Sequence, residues 1–226
     1  MIIKNNKLAH RGVFDNQKIP ENSLKAFEKA MMLDYSIELD IQLTKDDVFV
    51  VFHDESLERM TGEVKKIHDL TLEEIKRYSL LDTKEKIPTL QEVFHLVKGK
   101  VLINIEVKEK RNCKKVCKLL MEELKDYSNY ILQSFNPFLV RTLKKNSPNL
   151  EVGYLMGKQK DIWHLFLNSN FMIRYSKADF LGIHKDMLKR KKFQKLKKNY
   201  TLFLWTIKKT DNYDSDEYVL ICNDLL

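Results

Sequence analysis

The sequence predicts an α/β fold in which a parallel sheet carries helices on its faces. Three observations lead there. Short apolar, β-branched runs recur along the 226 residues, and segments of helical period fill most of the gaps between them. The composition is globular, with 43% apolar and 32% charged residues and only 6 Gly and 4 Pro. The length suits one domain, residues 1–226, large enough to bury a core without disulfide staples.

Taken in order, the first strand candidate is Lys7–Ala9. Leu24, Phe27 and Met31 then mark a helix entered from Asn22 after Pro20. Strands are predicted at Ser36–Ile41 and Val48–Phe52, and Thr71-x-x-Glu74 forms a capping box for a short helix through Tyr78. A second capping box, Thr89-x-x-Glu92 behind Pro88, opens a helix carrying Leu90, Val93, Phe94 and Val97 and stopped at Gly99. Val101–Val107 and Tyr130–Gln133 read as strands on either side of a helical face formed by Cys113, Val116, Cys117, Leu120 and Leu124. Asn136–Pro137 caps a helix through Lys144. Glu151–Leu155, Asp179–Ile183, Thr201–Thr206 and Tyr218–Cys222 are the remaining strands, with helical segments at 161–168 and 186–197.

An open doubly wound sheet and a closed (β/α)8 barrel both satisfy this order. No G-x-G-x-x-G or G-x-x-x-x-G-K-[ST] follows a strand, so the common nucleotide-binding uses of an open sheet lose their signature. Nine strand candidates are one too many for a simple barrel, and the connection from Gln42 to Asp47 is too short for a crossover helix. One strand near either end is therefore expected to be irregular or peripheral.

The formal charge is +8, and 33 of the 40 basic residues are Lys, which reads as solvated surface more than as a nucleic-acid footprint. Three cysteines outside CxxC spacing, no apolar leader and no run long enough to span a membrane together predict a soluble, cytoplasmic protein.

Polar residues gather where strands end. His10, Arg11 and Gly12 follow the first strand, and His53 and Asp54 the third. Glu38 and Asp40 are two apart in the second, and Glu106 and Lys108 close the fourth in the same way, so each pair shares a face. Burying carboxylates and Asn104 among Ile, Leu and Val costs several kcal/mol unless a partner is present. A hard cation such as Mg²⁺ or Ca²⁺ is the economical one.

These residues resemble the glycerophosphodiester phosphodiesterases, of the superfamily with a phosphatidylinositol phospholipase C-like barrel. The carriers are His10-Arg11-Gly12, Pro20-Glu21-Asn22-Ser23, Glu38-Leu39-Asp40, His53-Asp54 and Glu106-Val107-Lys108. Connecting text fits as well: Thr44-x-Asp46, the run from Leu57 to Gly62, Asp69 to Thr71, and Ile87 to Glu92. Ser134-Phe135 and Trp205-Thr206-Ile207 match later strands. The likeness is dense from residue 8 to 108 and thinner beyond. Ser23 replaces the usual Thr, Asp47 stands where a turn Gly is common, and Lys208 replaces an Asn; the tail reads Ile221-Cys222-Asn223-Asp224.

The resemblance implies a (β/α)8 TIM barrel with a short insertion at 63–86 and an irregular connection between the second and third strands. It implies hydrolysis of glycerophosphodiesters to glycerol 3-phosphate and an alcohol. Glu38, Asp40 and Glu106 would hold one divalent cation, Mg²⁺ or Ca²⁺, with His10 and His53 as acid and base. Arg11 and Lys108 would bind phosphate oxygens, and Trp205 would wall the glycerol pocket, with Glu21, Asn22 and Asp54 behind them. Initial attack by the glycerol 2-hydroxyl and direct attack by water both remain open, as does the place of His184. His68, His95 and His164 are expected to be ordinary surface or core residues.

Two other readings compete. One is a phospholipase D-like enzyme acting on lysophospholipids or sphingolipids; the other is a non-catalytic barrel binding head groups or nucleic acid. The partner expected is a small-molecule glycerophosphodiester, with no nucleic acid, for a monomer or homodimer. Residues 185–198 carry eight basic side chains around Met187, Leu188, Phe193 and Leu196. They read as one solvated amphipathic helix making at most weak contact with a membrane surface.

Overall fold

Period-two runs that are apolar on one face and mixed on the other suit a sheet closed on itself, with helices outside and a filled interior. The structure, a computed structural model, describes residues 6–109, 112–158, 161–223 and 225. In chain order these form β1 (Lys7–His10), α1 (Leu24–Met32), β2 (Ser36–Leu43), β3 (Phe49–Val51), α2 (Glu58–Thr61), α3 (Leu72–Ile75), α4 (Leu90–Val97) and β4 (Ile103–Val107). Then come α5 (Cys113–Leu124), β5 (Tyr130–Ser134), α6 (Pro137–Asn146), β6 (Val152–Met156), α7 (Ile162–Leu167), α8 (Asn170–Ser176), β7 (Phe180–His184), α9 (Lys191–Gln194), β8 (Thr201–Ile207) and β9 (Val219–Cys222). Every strand but β3 joins a parallel ring, closed by β1 pairing with β2 on one side and β9 on the other. This is a (β/α)8 barrel.

Alternation divides the strand residues between two environments. Ile37, Leu39, Ile41, Ile103 and Ile105 point outward, into one cluster with Phe27 and Ala30 of α1 and Val93 and Val97 of α4. Leu8, Ile131, Phe180, Phe203, Val219 and Ile221 fill the barrel interior. Phe180 and Phe203 stack there with centroids 4.2 Å apart. Their neighbour Gly153 is required, because a Cβ at that position would lie 2.1 Å from the Phe180 ring.

The strand outside the ring is β3, not one near an end of the chain. It returns antiparallel along β2, with Ile41 opposite Val51 and Leu43 opposite Phe49. The cause is the connection itself: five residues can turn a hairpin but cannot cross a sheet. Asp47 adopts φ +64° in that turn, a left-handed conformation that favours Gly and that Asp tolerates. β2 is eight residues long and overshoots its neighbours, so the hairpin brings the chain back to the level of Asp40, whose carbonyl accepts from the Phe52 N–H at 2.9 Å. Beyond it, Val50, Phe52, Leu57, Met60, Ile67, Ile75 and Ile87 form a separate small core beneath the 63–86 segment.

Both capping boxes form as expected, at Thr71/Glu74 and Thr89/Glu92, and Asn136 caps α6 ahead of Pro137. Three local expectations are corrected. The cap of α1 is Ser23, whose hydroxyl accepts from the Ala26 N–H, while Asn22 has φ +54° and turns its side chain elsewhere. α8 is an additional helix after α7. The basic stretch is not one helix but two 3₁₀ turns, Lys185–Lys189 and Lys195–Lys198, around the single turn of α9. Met187, Leu188 and Phe193 are all buried, a spacing that no straight helix presents to one side, so the backbone opens to an extended conformation at Arg190. Among the described residues no helix is long and apolar enough to cross a membrane.

Candidate active site

The inward positions of β2 and β4 carry Glu38, Asp40, Asn104 and Glu106, all buried, and the polar row continues to His10 on β1 and Gln133 on β5. Register places Asp40 directly beside Glu106 and Glu38 beside Asn104. One carboxylate oxygen from each of Glu38, Asp40 and Glu106 lies within 4.8 Å of the others. Lys108 sits two residues past Glu106 on the same face, and its Nζ donates to Asp40 Oδ1 at 3.2 Å and to Glu106 Oε1 at 3.0 Å. The Arg11 backbone N–H donates to Glu38 Oε2 at 3.2 Å, and Asn22 Nδ2 to Asp40 Oδ2 at 3.0 Å.

The electrostatics are unbalanced. Burial and the charges of Asp40 and Glu106 push the Glu38 carboxyl well above the usual range. Burial also raises Glu106, despite Lys108. Asp40 goes the other way: Lys108 and Arg11 overcome its burial and hold it below the usual carboxylate range. Three buried carboxylates with hard oxygen donors and too little positive charge between them fit a divalent cation of the Mg²⁺ or Ca²⁺ type.

Two histidines flank this cluster. His10 ends β1, and its Nδ1 stands 2.6 Å from Asn223 Oδ1, just past β9. An amide oxygen only accepts, so Nδ1 carries the hydrogen and Nε2 keeps its lone pair. His53 is delivered by the β2–β3 hairpin, with Nδ1 2.6 Å from Asp54 Oδ1. Arg59 steadies Asp54 through Nε at 2.6 Å and forks onto Glu21 at 2.7 and 3.0 Å. Glu21 also receives Arg11 at 2.7 Å; the hydrogen bonds from Arg59 and the charge of Arg11 outweigh burial and pull its carboxyl down to about 2. Burial, aided by the Arg11 charge, lowers His10 to about 4, and burial lowers His53 as well. Both rings therefore rest neutral in this arrangement.

A cavity of about 230 Å³ opens between these groups, lined by His10, His53, Glu106 and Lys108 on one side and by Phe135, Leu155 and Trp205 on the other. Trp205 meets Phe135 edge-on at 5.5 Å and His184 edge-on at 5.0 Å, so His184 lies behind the tryptophan. The residues singled out in the sequence thus converge: His10, Arg11, Glu21, Asn22, Glu38, Asp40, His53, Asp54, Glu106, Lys108 and Trp205. His68 and His164 pair with Asp69 and Asp161 at the surface, and His95 packs on Tyr127.

Four further residues belong to the constellation. Asn223 orients His10, Arg59 links Asp54 to Glu21, Gln133 donates to Glu38 at 3.4 Å, and Phe135 forms the rim. Gln133 had a visible signal, a polar residue at an inward position of an apolar strand. Asn223 and Arg59 lay within motifs but gave no sign of which side chain they would meet.

The model of the glycerophosphoryl diester phosphodiesterase family matches residues 10–223. A glycerophosphodiester phosphodiesterase of Caldanaerobacter subterraneus subsp. tengcongensis is 36% identical over 222 residues, covering 92% of this chain and 87% of that protein. The crystal structure of a glycerophosphodiester phosphodiesterase from Thermotoga maritima superposes with a TM-score of 0.74 at 28% identity, over 96% of this chain and 93% of that one. A phosphodiesterase of Oleispira antarctica, solved with the product sn-glycerol-3-phosphate, shares the fold with a TM-score of 0.76 at 22% identity, over 96% and 91% of the two chains.

Proposed function

The chain belongs to the glycerophosphoryl diester phosphodiesterase family, and from that premise we propose that it hydrolyses glycerophosphodiesters to glycerol 3-phosphate and an alcohol in a cation-dependent reaction. The observation that carries this reading is the cluster of Glu38, Asp40 and Glu106 facing His10 and His53 across one cavity.

Glu38, Asp40 and Glu106 would hold one Mg²⁺ or Ca²⁺ ion, which supplies neutralisation of the negative charge on the phosphate. Arg11 and Lys108 add fixed positive charge beside it. Lys108 acts as a point charge, and Arg11 is held by Glu21 and by Asp40, 3.4 Å from its Nε. Hydrolysis breaks the bond from phosphorus to the alcohol oxygen and forms one to the attacking oxygen. One histidine takes the proton from the nucleophile on the nitrogen left free by Asn223 or Asp54; the other must first gain a proton from solvent on its own free nitrogen, and gives that proton to the leaving alkoxide. Trp205, Phe135 and Leu155 offer the glycerol carbons an apolar wall. Neutral rings at rest suit a base that must accept a proton near neutral pH.

In this reading the barrel acts as one domain in the cytoplasm, as a monomer or homodimer, where three free cysteines are at home. The test compares release of choline from glycerophosphocholine and from lysophosphatidylcholine, with and without EDTA. Glycerophosphocholine is the better substrate, chelation abolishes turnover, and Mg²⁺ or Ca²⁺ restores it. Preference for the lysolipid would replace this reading with a phospholipase D-like one. Full turnover after exhaustive chelation would remove the cation from it.

A further inference from the structure

The proposed chemistry makes no use of an apolar surface on α7 and α8. Trp163 is 70% exposed, Phe171 64%, Leu165 50% and Phe166 45%, all on α7 and α8. Their rings follow one another across the surface: Trp163 to Phe166 at 6.4 Å, Phe166 to Phe171 at 6.4 Å, and Phe171 to Tyr175 at 6.3 Å. Single exposed apolar residues are ordinary, but a contiguous band marks an interaction surface.

The band is tied to the cavity mouth. Asn168, which ends α7, donates from Nδ2 to the Gly157 carbonyl at 2.9 Å. Gly157 lies against Phe135, the aromatic residue of the rim. It is also tied to the basic stretch, where Lys192 donates to the Asn168 carbonyl at 2.9 Å. Leu165 shares a groove of about 370 Å³ with Lys158, Lys189, Arg190 and Lys192. Residues 189–192, Lys-Arg-Lys-Lys, are all exposed. The acidic residues nearby are already engaged, Asp186 with Lys158 and Lys189, and Asp161 with His164.

We propose that this face docks the protein on an anionic phospholipid bilayer, with Trp163, Leu165, Phe166 and Phe171 entering the interface and Lys158 and residues 189–192 lying among the headgroups. Charge decides between a bilayer and a second copy of the chain. A two-fold interface on this face would set the same basic cluster against itself, whereas anionic lipid complements it. Tryptophan, amphipathic at the edge of such a patch, suits the depth of the headgroups. The broken basic stretch has buried its own apolar residues, so α7 and α8 supply the hydrocarbon that its charges lack.

The test is co-sedimentation of the full chain with vesicles of phosphatidylcholine alone or mixed with phosphatidylserine, with tryptophan emission read in parallel. The chain partitions onto the mixed vesicles, and Trp163 emission shifts to the blue and is quenched by brominated acyl chains. Trp163→Ser with Phe171→Ser weakens partitioning at least about tenfold. Lys189→Ser, Lys191→Ser and Lys192→Ser weaken it by about fivefold each. The aromatic variant and Lys191→Ser keep the thermal midpoint of the parent, since those side chains are exposed; Lys192→Ser also removes the bond to the Asn168 carbonyl, so its binding is read against its own midpoint. Failure to sediment with mixed vesicles at low salt would overturn the proposal. So would equal binding by the aromatic variant, an unquenched Trp163, or a dimer in sedimentation velocity that the aromatic variant splits.

Discussion

The two halves of this barrel are filled by opposite kinds of side chain. On β2 and β4 the inward positions hold Glu38, Asp40, Asn104 and Glu106; across the interior, β6 to β9 hold Leu155, Phe180, Phe203, Val219 and Ile221. The apolar half is a finished core, with stacked rings and a glycine making room for one of them. In the polar half the carboxylates crowd one another, and both amide atoms of Asn104 are buried without a partner. Close packing stabilises the first half on its own, whereas the second half carries an acidic cluster that could hold a metal ion. On the proposed function, stability and chemistry are stored in different strands of a single sheet, and substitutions should separate them.

The largest separation is expected at the carboxylates. Glu38→Gln or Glu106→Gln should lower kcat/KM at least about 10³-fold, since charge neutralisation by a bound cation is worth several kcal/mol. The thermal midpoint of the cation-free protein should stay level or rise, because a like charge leaves a buried cluster. A large drop in that midpoint would show that the cluster is structural. The converse substitution, Phe180→Ala, should cost about 3–5 kcal/mol in denaturant unfolding. Its kcat should stay near the parent value at a temperature where the variant is folded, and a comparable loss of kcat would dissolve the division.

Within the polar half, His10→Ala and His53→Ala should each reduce kcat by at least ~10²-fold. His95→Ala, outside the cavity, provides the silent reference in the same assay. Smaller still is the effect of Asn223→Ala, which leaves His10 in place but frees its ring. A loss of about tenfold in kcat with KM little changed is the expected split, in keeping with the cost of removing an orienting partner. A pure KM effect would mean that Asn223 touches substrate instead.

Strand positions and the charged cluster were legible because both depend on local order. Period two fixes which residues point inward, and His10, Glu38, Asp40, Glu106 and Lys108 are set by counting along single strands. What escaped was decided by distance or direction. A period-two run looks the same in either direction, so the antiparallel course of β3 follows only from the length of the turn before it. Asn223 meets His10 across a sequence separation of 213, a pairing that only barrel closure creates. Apolar spacing over residues 185–198 suggested one helix, yet Met187, Leu188 and Phe193 each found burial separately and broke it. α8 carries little signal in the sequence because Phe171 faces outward, against the rule that helices are recognised by what they bury.

The contact between His10 and Asn223 also has a consequence in time. The strand that carries His10 is made first and the segment that carries Asn223 last, and β1 finds β9 only after every intervening strand has been laid down. On a ribosome, Glu38, Asp40, His53, Glu106 and Lys108 all emerge while the barrel is still an open sheet with two unsatisfied edges. A chain clipped or stalled before β9 lacks both the seam and the group that orients His10. On the proposed chemistry such a chain is expected to show little turnover, because nothing closes the barrel around His10.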